Sequence, residues 1–259
     1  MWKNINYENC LSYISRCAAA EAYKTGRPTE SRGYTGLLSK DKIHPSSNPS
    51  VTISRMCGSG GRSVASELAT YLQLRTTTSH RWTIFDKNLI EKVLEEHHLS
   101  RRIAEFVPED SKSILREAIE NWRGLHPPTA TIVKQTTETI WNLAASGYVI
   151  LVGRAANAVT EQLPNVFHVY LVGPLENRIE RVEEVYEMGR AEARKYIQSQ
   201  DTAKRRYMKE YYNRDIDDPL LYHMIINTGE ISYEQAARLI GDAVIAAANE
   251  AAVQVVAAG

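Results

Sequence analysis

The sequence predicts an α/β fold in which a parallel sheet of about five strands is covered by helices on both faces. Short, nearly continuous apolar runs, such as YVILVG (148–153) and VFHVYLVG (166–173), are typical of strands buried on both faces. These runs alternate with longer segments of helical periodicity, and such alternation favours a parallel sheet. A glycine-rich turn, RMCGSGGRS (55–63), joins the first run to the first helical segment. Together the three observations indicate the α/β class.

The chain divides into an N-terminal segment, residues 1–49, and one main domain, residues 50–259. Apolar side chains recur at helical spacing over residues 4–23, which predicts an amphipathic helix. Residues 24–50 are rich in Gly, Ser, Thr and Pro, which predicts a loop or polar linker. The N-terminal helix could pack on the main domain or against a second subunit, so a homodimer is one expectation for the assembly.

The main domain begins with two strand–helix pairs. VTIS (51–54) predicts a strand, and RSVASELATYLQL (62–74) predicts the helix after the glycine-rich turn. WTIFD (82–86) predicts the second strand, which a helix over KNLIEKVLEEHH (87–98) follows. Residues 100–128 predict one or two further helices.

The remaining elements continue the alternation. A helix over 131–147 should stop at Gly147, because glycine is the usual residue just past a helix end. The helix over 174–188 begins with proline in its first turn, where proline is tolerated. The other predicted elements are the strands 148–153, 166–173 and 222–228, a long basic helix over 190–212, and a closing helix over 232–258.

Charge and composition exclude several classes of protein. The 31 Lys and Arg residues balance the 31 Asp and Glu residues, so a general nucleic-acid-binding surface is not expected. No apolar stretch approaches the roughly 18 residues of a membrane span, and the N-terminus lacks the features of a signal peptide. Cys10, Cys17 and Cys57 are too few and too scattered for a disulfide scaffold or a zinc site. We therefore expect a cytoplasmic protein without membrane contact.

The glycine-rich turn resembles a phosphate-binding P-loop, whose spacing is G-x-x-x-x-G-K-[ST] between a strand and a helix. Backbone N–H groups of such a turn and the helix N-terminus hold phosphate oxygens. The candidate nucleotide-binding residues are Gly58, Ser59, Gly60, Gly61, Arg62 and Ser63. Arg55 stands in place of the leading glycine and Gly61 in place of the lysine. The alternative is a glycine turn that only packs a helix against a strand.

Two further turns follow strands at the edge where parallel sheets bind ligands. Arg154 directly follows the strand 148–153, and its guanidinium is well placed to hold a phosphate by two hydrogen bonds. Asp86 ends the strand 82–86, where its carboxylate could orient a bound ligand or help to place Mg²⁺. The alternatives are a surface ion pair for Arg154 and a helix N-cap for Asp86.

Basic residues concentrate in the helix over 190–212 and just beyond it. Lys204, Arg205, Arg206, Lys209 and Arg214 fall within eleven positions. Asp201 shares a helical face with Lys204 and Arg205 by the i, i+3, i+4 rule. Arg178 and Arg181 of the preceding helix share a face and can add to this basic surface. The alternatives are a solvated helix face and, because tyrosines are interleaved, an RNA-binding surface.

Five segments resemble the cytidylate kinase-like family in order and spacing. They are VTISRMCGSGGRSVASELA, FDKNLIEKV, GYVILVGRAANAV, HVYLVGPLENRIERV and DTAKRRYMKEYYNRDIDDPLLYHMIINT, and the likeness covers roughly residues 50–245. The resemblance implies a P-loop kinase-like three-layer sandwich. It also implies a helical acceptor-binding insert at about 100–128 and a basic helical lid at about 190–216.

The resemblance further implies roles for the candidate residues. Arg154 would hold the acceptor's monophosphate, with Asp86 and Asn157 beside it. Mg²⁺ would accompany ATP, the phosphoryl donor, near Ser63. Asp201, Lys204, Arg205 and Arg206 belong to the implied lid, and Arg62, Lys204 and Arg205 are the predicted catalytic residues. Because Gly61 cannot supply the lysine's charge, we expect Arg62 to take that part.

The leading prediction is thus an ATP-dependent phosphotransferase, a nucleoside monophosphate kinase with CMP as the first acceptor to consider. Its partners would be ATP and a small phosphorylated or hydroxyl acceptor. A second reading is a nucleotide-binding regulatory protein of the same fold with impaired transfer. Two residues favour it: Gly61 stands where a P-loop has lysine, and Ala155 stands where the G-R-D motif of cytidylate kinases has aspartate. A third, RNA or partner binding through the basic helix, predicts strongly salt-dependent association.

Overall fold

The computed structural model describes residues 48–76, 78, 80–86 and 129–258, with side chains from 136 to 251 in the last range. The predicted N-terminal helix, nearly all of the linker, the helix over 87–98 and the insert over 100–128 lie outside these residues. All five predicted strands and the other predicted helices lie within them.

Five parallel strands form one sheet in the order β2-β3-β1-β4-β5. The strands are β1 (Ser50–Arg55), β2 (Thr83–Phe85), β3 (Val149–Val152), β4 (Val166–Val172) and β5 (Met224–Asn227). Each pair of neighbours is parallel, and β1 lies in the centre between β3 and β4. The predicted parallel sheet of about five strands is therefore confirmed.

Helices follow the strands as the sequence predicted, with two additions. They are α1 (Gly61–Arg75), α2 (Thr129–Ser146), α3 (Ala156–Val159), α4 (Leu175–Tyr186), α5 (Arg190–Tyr212) and α6 (Tyr233–Ala258). The single turn α3 and a 3-10 turn at Pro219–Leu221 were not predicted. Gly147 follows α2 with a φ of +86°, which confirms the predicted stop. Pro174 lies one residue before α4 instead of within its first turn.

The sheet buries side chains on both faces, which explains the nearly continuous apolar runs. Ile150 and Val152 of β3 pack with residues of α1 and α6, including Leu68. Val149 and Leu151 point the other way and pack against α2 and α3. Because successive side chains of a strand alternate between faces, a strand in the middle layer is mostly apolar along its whole length. The molecule is thus a three-layer α/β sandwich. No helix among the described residues is long and apolar enough to cross a membrane.

The strand order brings three turns together at the carboxyl edge of the sheet. Ile53 of β1 pairs with Val152 of β3, and Phe85 of β2 pairs with Leu151. The glycine-rich turn after β1, Asp86 after β2 and Gly153 after β3 therefore lie side by side. This edge is where ligands bind in parallel α/β sheets.

Candidate functional site

A pocket of about 510 Å³ opens at this edge, between the glycine-rich turn and helices α4 and α5. Among its described lining residues are four cations, Arg55, Arg62, Arg181 and Lys204, and one carboxylate, Asp86. Gly58, Gly60, Gly61 and Ser63 contribute to the floor. An excess of positive charge in a partly enclosed site favours a ligand with several negative charges.

The glycine-rich turn leads directly into the N-terminus of α1. Gly58 and Gly60 have φ angles of +83° and +80°, in the left-handed region that glycine adopts without strain. The Ser59 hydroxyl donates to the carbonyls of Met56 and Leu171 at 2.9 and 3.2 Å. Ser59 is therefore buried and does not line the pocket, although sequence analysis included it. The turn is fixed on β4, and α1 begins at Gly61, next to the pocket.

Arg62 and Asp86 form an ion pair across the pocket rim. Arg62 Nη2 lies 2.7 Å from Asp86 Oδ2, and the two side chains are 63% and 19% exposed. The contact joins the start of α1 to the end of β2. The structure thus brings together a predicted nucleotide-binding residue and a predicted acceptor-binding residue. The predicted helix over 87–98, which Asp86 would cap, lies outside the described residues.

Ser63, the predicted metal ligand, contacts an arginine. Arg181 Nη2 donates to Ser63 Oγ at 3.1 Å, and the same guanidinium lies 5.6 Å from the ring centroid of Tyr233. Among the described residues no group of three or more His, Cys, Asp and Glu residues could hold a metal ion. Mg²⁺ in nucleotide sites is usually bound by one or two protein oxygens together with phosphates and water. Ser63 and Asp86 fit an ion that arrives with a nucleotide.

Helix α5 reaches the glycine-rich turn through Lys204 and Asp201. Lys204 Nζ donates to the carbonyl of Arg55 at 3.3 Å, and its side chain is 9% exposed. Asp201 Oδ1 accepts from the backbone N–H of Cys57 at 2.7 Å. Asp201 Oδ2 accepts from Arg178 Nη1 at 2.6 Å. Sequence reasoning placed these residues on a basic surface but missed their contact with the turn, because no spacing signal links positions so far apart.

Arg205 and Arg206, also predicted for the lid, do not line the pocket. Arg205 Nε contacts Asp217 Oδ2 at 2.7 Å, and the Tyr170 hydroxyl donates to the other oxygen of that carboxylate at 3.2 Å. Arg206 is half-buried. The structure therefore separates Lys204 from the two arginines that follow it.

A second, smaller pocket of about 20 Å³ lies beside the third turn. Arg154 and Asn157 line it, and both are buried, Arg154 to 3% exposure. The Ser54 hydroxyl donates to Asn157 Oδ1 at 3.2 Å. The structure brings the predicted acceptor residues Arg154 and Asn157 together, but Asp86 lines the larger pocket. Arg55 and Lys204 line both pockets and so mark the boundary between them.

The turn after β3 has an unusual backbone. Gly153, Arg154 and Ala155 have φ angles of +81°, +56° and +53° in succession. Non-glycine residues in this region cost about 1–3 kcal/mol each, and such strain clusters at functional sites. A Cβ added to Gly153 would overlap the guanidinium of Arg55. The Arg55 side chain therefore crosses from the first turn to the third.

The thiol and two phenols near the site are held neutral. Burial raises the pKa of the Cys57 thiol, and this effect outweighs the nearby charge of Lys204, which lowers it. Burial likewise raises the pKa of Tyr222 to about 12 and moves that of Tyr207 upward. A neutral thiol and neutral phenols are poor nucleophiles and bases near pH 7. The site is therefore suited to binding and charge neutralisation instead of covalent catalysis.

Comparison with known proteins gives consistent matches. The model of the cytidylate kinase-like family matches residues 50–230. A cytidylate kinase of Staphylothermus marinus is 27% identical over 157 residues, which cover 54% of this chain and 85% of the relative. A cytidylate kinase of Methanosarcina barkeri is 26% identical over 182 residues, 69% of this chain and 86% of the relative.

A solved structure shows the same fold. The crystal structure of an uncharacterised protein from Eubacterium ventriosum matches with a TM-score of 0.57 and 18% identity. The match covers 76% of this chain and 98% of that protein. At this identity it supports the fold alone. The predicted class, a P-loop kinase-like α/β sandwich, is confirmed.

Proposed function

The chain belongs to the cytidylate kinase-like family, and from that membership we propose an ATP-dependent phosphotransferase that acts on a nucleoside monophosphate, with CMP as the first candidate acceptor. The observation that carries the proposal is the pair of adjoining pockets that share Arg55 and Lys204. The larger pocket has a glycine-rich floor and a helix N-terminus, which suit a triphosphate. The smaller pocket holds a buried arginine, which suits the phosphate of an acceptor. At about 20 Å³ it has room for about one water molecule, so we expect it to widen when the acceptor binds.

Transfer in such a site needs positioning and neutralisation of charge more than covalent chemistry. The transition state of phosphoryl transfer spreads negative charge over the equatorial oxygens, and fixed cations stabilise it. ATP would lie with its phosphates on Gly58–Ser63, and the acceptor would direct its phosphate toward Arg154. Lys204, at the boundary, would then face the transferred group, while Arg62 and its partner Asp86 would close the rim. Holding both substrates in line would supply much of the remaining rate enhancement.

Mg²⁺ would enter with ATP, with Asp86 and Ser63 as the protein groups able to hold it, directly or through water. When bound, the ion supplies neutralisation of charge on the phosphate oxygens. The Ser63 hydroxyl has a second lone pair beside the one that Arg181 engages. Arg181 would keep this hydroxyl oriented. A cytoplasmic location and a homodimer are further parts of the proposal, which rest on the sequence alone.

The proposal is tested by measuring ADP formation from ATP and Mg²⁺ with CMP, dCMP, UMP, AMP and non-nucleotide hydroxyl acceptors. We expect turnover that is highest with a pyrimidine monophosphate. Arg154→Ala should raise the KM for the acceptor by about tenfold or more, because a bidentate arginine–phosphate contact is lost. The KM for ATP should change by less than about threefold.

Arg75→Ala is the matched control, because Arg75 lies in the last turn of α1, far from both pockets. Stabilisation by ATP without ADP formation from any acceptor would instead support the regulatory reading. Strongly salt-dependent RNA binding would support the third. Three cations of the basic run argue against the third reading, because Lys204, Arg205 and Arg214 pair with acidic residues.

A further inference from the structure

The two positions at which the turn departs from a P-loop lie against each other. A Cβ added to Gly61 would lie 3.0 Å from Cγ and 3.3 Å from Cδ of Arg55. These distances are tighter than ordinary van der Waals contact between carbon atoms. The stem of Arg55 therefore fills the space that a side chain at position 61 would enter. An arginine at the first position and a glycine at the lysine position are one arrangement and not two separate losses.

The guanidinium of Arg55 has room only because a second glycine, Gly153, lies beside it. A Cβ added to Gly153 would overlap the Nη1 atom of this guanidinium. The parallel pairing of Ile53 with Val152 brings the ends of β1 and β3 to this distance. Arg55 thus passes over Gly61 with its stem and over Gly153 with its charged group. Both glycines lack the atom that would block this path.

The path of Arg55 follows the boundary between the two pockets. Arg55 lines the larger pocket together with Gly60 and Gly61, and it lines the smaller one together with Arg154. In a P-loop the lysine reaches the β- and γ-phosphates from the position that Gly61 holds here. A guanidinium on this boundary offers a fork of donors to the same phosphates.

We propose that Arg55 takes the part of the P-loop lysine and that Gly61 and Gly153 provide the room for it. The proposal rests on the proposed function and deepens it, because it names the cation that would contact the transferred phosphoryl group. Arg62, the residue expected from the sequence, is 63% exposed at the rim and contacts Asp86. Placement on the boundary favours Arg55 over Arg62.

The experiment moves the positive charge from position 55 to position 61, where a standard P-loop has its lysine. R55G should lower kcat by about 100-fold, the usual cost of removing one donor that stabilises transition-state charge. The double variant R55G/G61K restores the spacing G-x-x-x-x-G-K and should regain at least about tenfold of that loss. R62A, an arginine of the same turn, should lower kcat less than R55G does. A purely structural role of Arg55 would not allow rescue by a lysine six residues away.

A second measurement tests the shared space without any turnover. G61K should lower the melting temperature more in the wild-type background, where the new side chain meets Arg55, than in the R55G background. The comparison uses wild type, R55G, G61K and R55G/G61K, because a dependence of one substitution on the other is expected for residues in contact. If G61K lowers the melting temperature equally in both backgrounds, the two positions do not compete for space and the proposal is overturned.

Measurements of nucleotide binding distinguish a failure of this proposal from a failure of the proposed function. If the wild-type protein forms no ADP with any acceptor, the proposed function fails, and the affinities for ATP and ADP then decide the role of Arg55. The ratio of the affinity for ATP to that for ADP should be about tenfold lower in R55G than in the wild-type protein, and R55G/G61K should restore the ratio. A preference unchanged in R55G, or a kcat within about threefold of wild type, overturns the proposal. Larger losses in R62A than in R55G would assign the part to Arg62.

Discussion

Lys204 and Arg205 are adjacent and carry the same charge, but their side chains differ in burial and in the groups they contact. Successive residues of a helix point about 100° apart, so two adjacent cations cannot face the same site. Lys204 is buried and contacts the carbonyl of Arg55 at the pocket boundary. Arg205 is exposed and holds Asp217 on the outer side of α5. Sequence reasoning treated both as catalytic residues because a basic run does not show which of its members turn inward.

The two side chains can be compared directly by replacing each. Lys204→Met keeps a buried apolar stem but removes the charge, and kcat should fall by about 100-fold. Arg205→Ala should change kcat by less than about threefold, because an exposed ion pair contributes little. Steady-state kinetics with saturating ATP and acceptor measure both values. Equal losses in the two variants would support the sequence-based prediction that Arg205 is catalytic.

A carboxylate of helix α5, that of Asp201, joins the helix to the glycine-rich turn beside the contact made by Lys204. Asp201 accepts from Cys57 N–H, Arg178 and Lys204, and its side chain is 12% exposed. Removing one partner from such a buried ionic cluster leaves the other charges without compensation. The thiol of Cys57 packs against the apolar side chains of α4 and α5, including Ile179 and Ile197. This thiol therefore reports whether α5 stays in place.

Asp201→Asn should loosen α5 and uncover Cys57. We expect the limiting rate of iodoacetamide labelling at Cys57 to rise by about tenfold, the size expected for one lost charge-assisted bond. Labelling is followed by peptide mass spectrometry from pH 7 to 10. The pH series is needed because loss of the Asp201 charge also lowers the pKa of the thiol, which shifts the profile without raising its plateau.

Glu161→Gln is the matched control for this helix. It removes the exposed pair between Glu161 and Arg214, just beyond the C-terminal end of α5, and leaves Asp201 in place. Its labelling plateau should stay within about twofold of wild type. An equal rise in both variants would mean that α5 is loosened by any lost ion pair and that Asp201 has no special part.

The stability of the whole molecule should depend on pH through His168 of the sheet, which stacks on His223 just before β5. His168 of β4 is buried, and its Nδ1 contacts the Thr52 hydroxyl at 2.8 Å. Its backbone N–H donates to His223 Nδ1 at 2.8 Å, and the two rings stack at 5.1 Å. Burial, with a smaller effect of His223, lowers the pKa of His168 to about 4.

The sign of the pH effect follows from this shift. Between pH 6.5 and 4 the unfolded chain binds a proton at His168 that the folded protein does not. The free energy of unfolding should therefore fall as the pH falls through this window, by up to about 1.4 kcal/mol per pH unit from this residue. Urea unfolding at pH 7 and pH 5 measures the difference. His168→Asn, which cannot titrate, should show a flatter dependence, and an unchanged slope would contradict the assignment.

At the scale of the whole molecule, the sequence was sufficient for the sheet and most helices but not for the contacts within the site. Runs such as VILV (149–152) predict strands because strands of a middle layer are mostly apolar on both sides. The turn α3 has four residues, too few for a helical period to show. The contact between Asp201 and Cys57 spans 144 positions, and only the folded sheet determines such a distance.

The crossing of Arg55 over two glycines has a consequence for how this turn can change over evolutionary time. A side chain at position 61 would displace the stem of Arg55, and one at position 153 would meet its guanidinium at a φ of +81°. A lineage that changes one of these positions alone would therefore lose stability or a cation until a second position changes as well. We expect the three positions to be inherited as a block, so that related sequences fall into two groups with few mixtures between them.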